Sequence, residues 1–116
     1  ELELVTVPPD VTWLDDRGIA PYRAGDRGEI IVRGAHVNPS YLNRIGDEGN
    51  KLIERDGSVW HRTGDVATRD STGRLWLLGR VKDVVVIGHP DSGMLDPYPA
   101  EAALEEVKGV RRVALI

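Results

Sequence analysis

The spacing of apolar residues predicts short strands in the first two thirds of the chain. Partial alternation of apolar and polar residues over positions 2–7 (LELVTV) indicates a half-buried strand, which Pro8 and Pro9 would end. The next stretch, DDRGIAPYRAGDRG, is rich in turn-forming residues and is expected to be a loop. The β-branched run in GEIIVRG, bounded by glycines, predicts a further strand.

The middle of the chain predicts a hairpin. Strands over Val66–Arg69 and Arg74–Leu78 would flank Asp70-Ser71-Thr72-Gly73, whose composition favours a tight turn. A separate strand is predicted over Val59–Arg62. Residues 45–57 are polar with few aliphatic side chains, so they predict either a short helix or a mobile loop.

The pattern changes after Leu78. Val84–Ile87 is continuously β-branched, which is typical of a strand buried on both faces. The following HPDSGMLDPYP is too rich in Pro, Gly and Asp to predict regular structure. A helix is then predicted, with Pro99 in its first turn and Gly109 as its C-terminal cap. Its apolar face would be formed by Ala100, Ala103, Leu104 and Val107.

A last strand is predicted to begin at Val113–Ile116, so the order is β-rich up to Leu78 and β-α-β afterwards. This order predicts an α+β fold: a β-rich, distorted-barrel-like subdomain followed by the truncated start of a small C-terminal α+β domain. Because the sequence lacks an initiating Met and stops inside a predicted strand, we expect a piece of a longer protein. An unpaired strand edge left by such a cut would invite self-association.

Composition narrows the class of protein. Hydrophobic residues make up 41% of the chain and charged residues 29%, as in a soluble globular protein. The formal net charge of −4 gives no electrostatic reason to expect a nucleic acid or an anionic membrane as partner. The longest apolar run is far too short to span a bilayer. The absence of cysteine fits a cytoplasmic location and excludes disulfides and thiolate metal sites.

Few residues suggest chemistry by themselves. The carboxylate of Asp65, which follows Gly64, could accept two hydrogen bonds from a vicinal diol such as that of ribose. Arg80, which follows Gly79, could donate to a sugar or phosphate oxygen. Taken alone, a turn aspartate and a surface salt bridge are the favoured interpretations. The three histidines share no metal-ligand spacing, so no metal site is predicted.

Four segments in a fixed order carry more information than any single residue. They are GEIIVRGAHVNPSYLNR, VWHRTGD, GRLWLLGRVKD and YPAEAALEEVKGVRRVALI. Together they resemble the adenylate-forming superfamily, which includes acyl-CoA synthetases, peptide-synthetase adenylation domains and firefly-type luciferases. The resemblance covers Arg27 to Ile116. Its members place a large N-terminal region, which binds ATP and the acid, before a small C-terminal domain that rotates about a hinge.

The resemblance implies an ATP-dependent, AMP-forming ligase with Mg as its metal. A carboxylic acid attacks ATP to give an acyl-adenylate and pyrophosphate, and the acyl group then passes to a thiol of coenzyme A or of a carrier protein. Fatty-acid metabolism is one setting for such an enzyme. By position, Asp65 resembles the aspartate that holds both ribose hydroxyls, Arg80 the arginine that reaches the ribose, and Lys82 the hinge residue.

The same resemblance implies a division of the chain. Residues 1–79 would be the β-rich end of the large region, residues 80–83 the hinge, and residues 84–116 the start of the small domain. The upstream phosphate loop and the downstream catalytic lysine of the family have no counterpart in this sequence. We therefore predict no catalytic residue in this segment and no activity for the isolated chain.

Two departures leave the acceptor open. Val86 occupies a position where many relatives have lysine, and several extra residues precede the helix start at Pro99. The thiol-transfer step is affected because this loop lines the thiol entrance in the family. An adenylate-forming enzyme that makes no CoA thioester is therefore an alternative. A non-catalytic binding or interaction module is another.

Overall fold

The structure is a computed structural model that describes residues 1–5, 27–54, 56–88 and 93–115. The predictions made for residues 6–26 lie outside this part of the chain. So do His89 and the three residues that follow it, and Ile116.

An antiparallel sheet of five strands forms the larger part of the described chain. Its strands are β1 (Leu2–Val5), β2 (Arg27–Val32), β3 (Lys51–Ile53), β4 (Val59–Arg69) and β5 (Leu75–Arg80). Strand β2 lies between β1 and β4. On its other side, β4 pairs first with β3 and then with β5. The long strand β4 therefore connects every part of the sheet except β1.

The core of this sheet is small and tightly covered. Ile31, Leu52 and Ala67 are fully buried, and Trp60 is 2% exposed. The indole of Trp60 donates to Glu54 Oε1 at 3.0 Å, which satisfies its polar group on burial. Burying each large apolar side chain contributes roughly 1.5–3 kcal/mol. The sheet is thus held by apolar contacts that its own strands supply.

The chain after β5 forms a second, smaller unit of structure. A 3₁₀ turn at Val81–Asp83 leads into β6 (Val85–Val86), which pairs antiparallel with β7 (Met94–Leu95). Helix α1 (Pro97–Glu105) follows and packs on β5. The Arg27 Nε donates to Asp96 Oδ1 at 2.8 Å, which joins β2 to the start of this helix. None of the described helices is long and apolar enough to cross a membrane.

Several sequence predictions are confirmed. The α+β class and the strand in GEIIVRG are observed. The hairpin forms as expected, with the Gly73 N–H donating to the Asp70 carbonyl at 3.0 Å. The two strands predicted over Val59–Arg62 and Val66–Arg69 are parts of one strand, β4.

Two predictions about the middle of the chain and the following strand were wrong. Residues 45–57 contain β3, because Leu52 pairs with Trp60 and its side chain is buried there. Val84–Ile87 is not buried on both faces. Only Val85–Val86 is a strand, and the side chains of Val86 and Ile87 are each 53% exposed, since β7 is its only strand neighbour among the described residues.

The helix boundaries also differ from those predicted. Helix α1 begins at Pro97, so Pro99 does lie in its first turn, but the helix ends at Glu105 and Val107 lies beyond it. Gly109 has a positive φ of 95° in the turn after the helix and does not cap it. The stretch expected to lack regular structure contains β7. Residues 113–115 form no strand.

Candidate functional site

Asp65 and Arg80 lie directly opposite each other on β4 and β5. The Arg80 Nη1 donates to Asp65 Oδ1 at 2.8 Å, and the two side chains are 46% and 34% exposed respectively. An ionised carboxylate offers about four acceptor positions on two oxygens. The structure therefore brings the two sequence-predicted residues together at the surface, with acceptor capacity remaining on the carboxylate.

A bulge in β4 presents Asp65 at the surface. Glu29 pairs with Val66 whereas Ile31 pairs with Arg62, so three residues of β4, numbered 63–65, lie opposite one residue of β2. Bulges of this kind bend a strand and redirect its side chains. The break falls where β4 changes partner from β3 to β5. The bulge, which we call the Thr-Gly-Asp corner (residues 63–65), thus sets the direction of the carboxylate.

Gly64 allows Arg80 to lie over this corner. Its φ is +74°, in the left-handed region that glycine adopts most readily. A Cβ at this position would come within 3.2 Å of the Arg80 Nη2. The glycine therefore serves two purposes: it permits the turn of the backbone and leaves space for the guanidinium beside Asp65.

Side chains replace the strand partner that the corner lacks. Glu29, which is 6% exposed, accepts from the Gly64 N–H at 3.2 Å and from the Arg62 Nη2 at 2.6 Å. The Thr63 hydroxyl donates to the Ile30 carbonyl at 2.9 Å and accepts from the Asp65 N–H at 3.0 Å. The bulged backbone is thus hydrogen-bonded from both sides, as buried polar groups require.

Sequence reasoning identified the corner but missed Glu29. The signal was an acidic residue, Glu29, at the start of the apolar run Ile30–Val32, together with an arginine immediately before Thr-Gly-Asp. Buried acidic side chains are almost always paired. The alignment of Glu29 with Arg62 depends on the register across the bulge, which the sequence alone does not give.

Lys82, the predicted hinge residue, lies in the 3₁₀ turn Val81–Asp83 immediately after β5. Its side chain is 80% exposed, and its Nζ lies 4.0 Å from Asp83 Oδ1. The flanking residues Arg80 and Val84 have extended backbone conformations. A short turn between extended residues, with a solvated side chain, is a position able to absorb a backbone rotation. The hinge role itself stays a prediction.

The tip of the β4–β5 hairpin is organised by Asp70. Hydrogen bonds from Thr72, Trp76 and Arg74 stabilise its carboxylate and hold its pKa well below the ordinary value. The Trp76 Nε1 donates to Asp70 Oδ2 at 3.0 Å. This network fixes the hairpin whose open end carries Asp65 and Arg80.

Among the residues that the structure describes, no other group of polar side chains forms a site as well defined as the Asp65–Arg80 pair. A groove of about 560 Å³ is lined by residues of the 39–59 segment, and neither Asp65 nor Arg80 contributes to it. Its buried Lys51 already donates to the Asn38 carbonyl at 2.6 Å and lies 4.8 Å from the centre of the Tyr41 ring. Across the described ranges, no cluster of three or more His, Asp or Glu side chains could hold a metal ion.

Comparisons with known proteins give a consistent result. No protein-family model matches the chain. A 3-[(3aS,4S,7aS)-7a-methyl-1,5-dioxo-octahydro-1H-inden-4-yl]propanoyl:CoA ligase of Rhodococcus jostii is 41% identical over 96 residues, which covers 81% of this chain and 17% of that protein. A 2-succinylbenzoate–CoA ligase of Listeria monocytogenes is 31% identical over 121 residues, covering 98% of this chain and 24% of the relative.

Solved structures give the same picture. A mutant of the amide bond synthetase McbA from Marinactinospora thermotolerans matches with a TM-score of 0.68 and 27% identity, over 98% of this chain and 20% of that one. The chain thus spans between 17% and 24% of the length of these proteins.

Proposed function

Because the chain belongs to the adenylate-forming superfamily, we propose that the full-length protein activates a carboxylic acid with ATP and that Asp65 and Arg80 bind the nucleotide ribose. In such a reaction a carboxylate oxygen of the acid bonds to the α-phosphorus of ATP while the bond to pyrophosphate breaks. The products are an acyl-adenylate and pyrophosphate. Mg²⁺ is the expected companion of ATP, and the described residues contain no cluster of three or more His, Asp or Glu side chains that could hold it without the nucleotide.

The observation that carries this proposal is the exposed Asp65–Arg80 pair on the corner. Asp65 accepts from Arg80 through one oxygen only in the described contacts, so its carboxylate can accept from both hydroxyls of a ribose. Arg80 holds the carboxylate in place and offers further N–H donors to the sugar. These two roles require only Asp65 and Arg80, whose side chains are hydrogen-bonded to each other.

We propose a thiol, coenzyme A first, as the acyl acceptor. The bond between the acyl carbon and the adenylate oxygen would break as the thioester forms and AMP leaves. A second candidate acceptor is an amine in place of the thiol. It is favoured by the structural similarity to an amide bond synthetase and by Val86, which occupies the position of a lysine in many relatives. Product analysis with coenzyme A or an amine as sole acceptor distinguishes the two.

The decisive experiment replaces Asp65 by Ala in the full-length protein. Acid-dependent exchange of labelled pyrophosphate into ATP, measured with a panel of carboxylic acids, should fall at least about tenfold because charge-assisted hydrogen bonds to the ribose are lost. Glu105→Gln, an exposed carboxylate on α1, is the matched control and should leave exchange unchanged. If Asp65→Ala exchanges as fast as the wild type, the ribose-binding role of Asp65 is wrong; if the wild type itself shows only background exchange with every acid, the non-catalytic binding module becomes the better proposal.

Four further predictions accompany this function. The isolated chain of 116 residues should show only background pyrophosphate exchange. Lys82 should lie at the pivot between the two halves of the enzyme, with residues 1–79 on one side and 84–116 on the other.

Location in the cytoplasm also stays a prediction. Self-association of the chain through an open strand edge is another, and a measurement of the solution mass as a function of protein concentration tests it.

A further inference from the structure

Glu29 is a buried carboxylate that lies behind the Thr-Gly-Asp corner and touches no exposed group of the candidate site. It accepts from Arg62 through Nε at 3.0 Å and Nη2 at 2.6 Å, and from the Gly64 N–H at 3.2 Å. Both members of the ion pair are almost fully buried, at 6% and 7% side-chain exposure. The pair therefore joins β2 to β4 at the point where their ladder is interrupted.

Stability alone does not account for an ion pair in this place. Removing two charges from water is costly, and apolar side chains of similar volume often stabilise a fold equally well. An apolar residue at position 29 could not accept a hydrogen bond from the Gly64 N–H. That N–H belongs to the bulge between two regular pairs, Glu29 with Val66 and Ile31 with Arg62. Within the bulge the Gly64 N–H has no partner on β2 in the regular ladder, and the Glu29 carboxylate accepts from it instead.

The contact is one residue away from the group that the proposed function needs. Gly64 directly precedes Asp65, and the Asp65 N–H is itself held by the Thr63 hydroxyl at 3.0 Å. These two hydrogen bonds fix the peptide groups on both sides of the Gly64 Cα, which lead into Asp65, and so limit where its carboxylate can point. Binding sites depend on such supporting contacts, since a displacement of about 1 Å at a functional group is costly.

We propose that Glu29, with Arg62, is a positioning residue that orients Asp65 for the two ribose hydroxyls; the inference rests on the proposed function. Glu29 itself does not touch the nucleotide. Its charge neutralises Arg62, and its oxygen replaces the strand partner of Gly64. Loss of this support should weaken the interaction with the ribose hydroxyls while leaving the other nucleotide contacts of the full-length protein intact.

The test measures dissociation constants for ATP, 2′-deoxy-ATP and 3′-deoxy-ATP by calorimetry, using the full-length protein without added acid. Wild type should prefer ATP over each deoxy analogue by about tenfold, the effect of one charge-assisted hydrogen bond. In Glu29→Gln, ATP should lose both hydroxyl contacts and each analogue the one contact that it retains, so the preference for ATP over each analogue should fall to within about twofold. A defect in folding alone would weaken all three nucleotides equally.

The matched control is Glu54→Gln. Glu54 directly follows β3 and accepts from Arg33 at 2.9 Å and from the Trp60 indole at 3.0 Å, so the substitution removes the same charge from a second, more exposed arginine pair. It should lower stability but leave the preference for ATP over the deoxy analogues unchanged. If Glu29→Gln does not fold, Glu29→Asp is used in its place, because it retains the charge near Arg62. The same loss of preference for ATP is expected, since the shorter side chain moves the carboxylate away from the Gly64 N–H.

Asp65→Asn in the same assay separates the two proposals. If it abolishes the preference for ATP and the Glu29 variant keeps it, the positioning role is wrong and the ribose site stands. If Asp65→Asn itself keeps the full preference, the ribose role of Asp65 is wrong, and the positioning role is lost with it. Loss of preference in both variants, but not in Glu54→Gln, supports the inference.

Discussion

In the five-stranded sheet the apolar side chains of β2, β3 and β4 are buried or half-buried, whereas after Asp83 most side chains of the same kind are exposed. Leu52 and Ile31 are fully buried, while Leu104 is 44% exposed and Met94 55%. Both regions show the apolar spacing that their elements require. The difference teaches that the spacing of apolar residues predicts a helix or strand, whereas the burial of that helix or strand depends on a second apolar surface to cover it. Only the sheet has such a surface among the described residues.

The two regions meet through a few specific contacts. Arg27 donates to Asp96 and also lies 3.5 Å from the Met94 sulfur, and Pro97 packs against Gly79. A large apolar interface would fix such regions rigidly, but these contacts are few and partly polar. The following experiments test whether the regions differ as described, beginning with the largest expected effect.

The first experiment makes the same substitution in each region. Leu52→Ala should lower the free energy of unfolding by about 2–5 kcal/mol because it leaves a cavity in the sheet. Leu104→Ala should change it by about 0.5 kcal/mol or less, since nearly half of that side chain is in solvent. Urea denaturation of the chain followed by circular dichroism measures both. Equal losses would mean that the exposed face of α1 is covered in solution.

The second experiment tests the contact between β5 and α1. Gly79 has a φ of +146°, and a Cβ there would lie 2.7 Å from Pro97 Cδ. Gly79→Ala should cost about 1–3 kcal/mol and increase hydrogen exchange across α1. Gly73→Ala, where φ is +85° and no atom lies within 4 Å of the added Cβ, is the control for backbone strain alone. If both variants leave exchange in α1 unchanged, Pro97 does not dock on β5 in solution.

The third experiment concerns the Arg27–Asp96 ion pair, whose side chains are 29% and 17% exposed. A double-mutant cycle with Arg27→Ala and Asp96→Ala should give a coupling free energy of about 0.5–1 kcal/mol, reduced at high salt. Thermal denaturation of the four proteins provides the values. Strictly additive effects would show that the two groups do not interact.

The fourth and smallest effect is a pH dependence confined to the sheet. Because the pKa of folded Asp70 is held below its unfolded value, its contribution to stability is present above about pH 4 and is lost as the pH falls through the folded pKa. The protection factors of amides in the β4–β5 hairpin, which are corrected for the pH dependence of intrinsic exchange, should decrease as the pH is lowered below about 4. Asp70→Asn should remove most of this dependence, and an unchanged profile in that variant would assign the effect to another group.

Local chemistry explains which elements were predictable. A few adjacent residues determine the conformation of the Asp70–Gly73 turn and of the apolar run in β2. The conformation of β3 is not determined locally, because Lys51–Ile53 becomes a strand only by pairing with β4. Val84–Ile87 misled for the opposite reason: its composition suits a buried strand, yet the described residues provide no cover for it.

The candidate site divides in the same way. Asp65 and Arg80 were identified because their motifs are contiguous, and the hairpin brings them together at 2.8 Å. Glu29 lies 33 residues before its partner Arg62, and only the bulge determines that they meet. Contacts set by register across an irregular ladder are those that the sequence did not predict.

Asp96 occupies the residue before α1 yet makes no side-chain hydrogen bond to the first turn of that helix. Its carboxylate is committed to Arg27 on the sheet. A carboxylate released from Arg27 would be free to accept from the Tyr98 N–H, an interaction that typically stabilises a helix by about 1 kcal/mol. Separation of the helix from the sheet would then exchange one electrostatic partner of Asp96 for another, so loss of this ion pair by itself would oppose the separation only weakly.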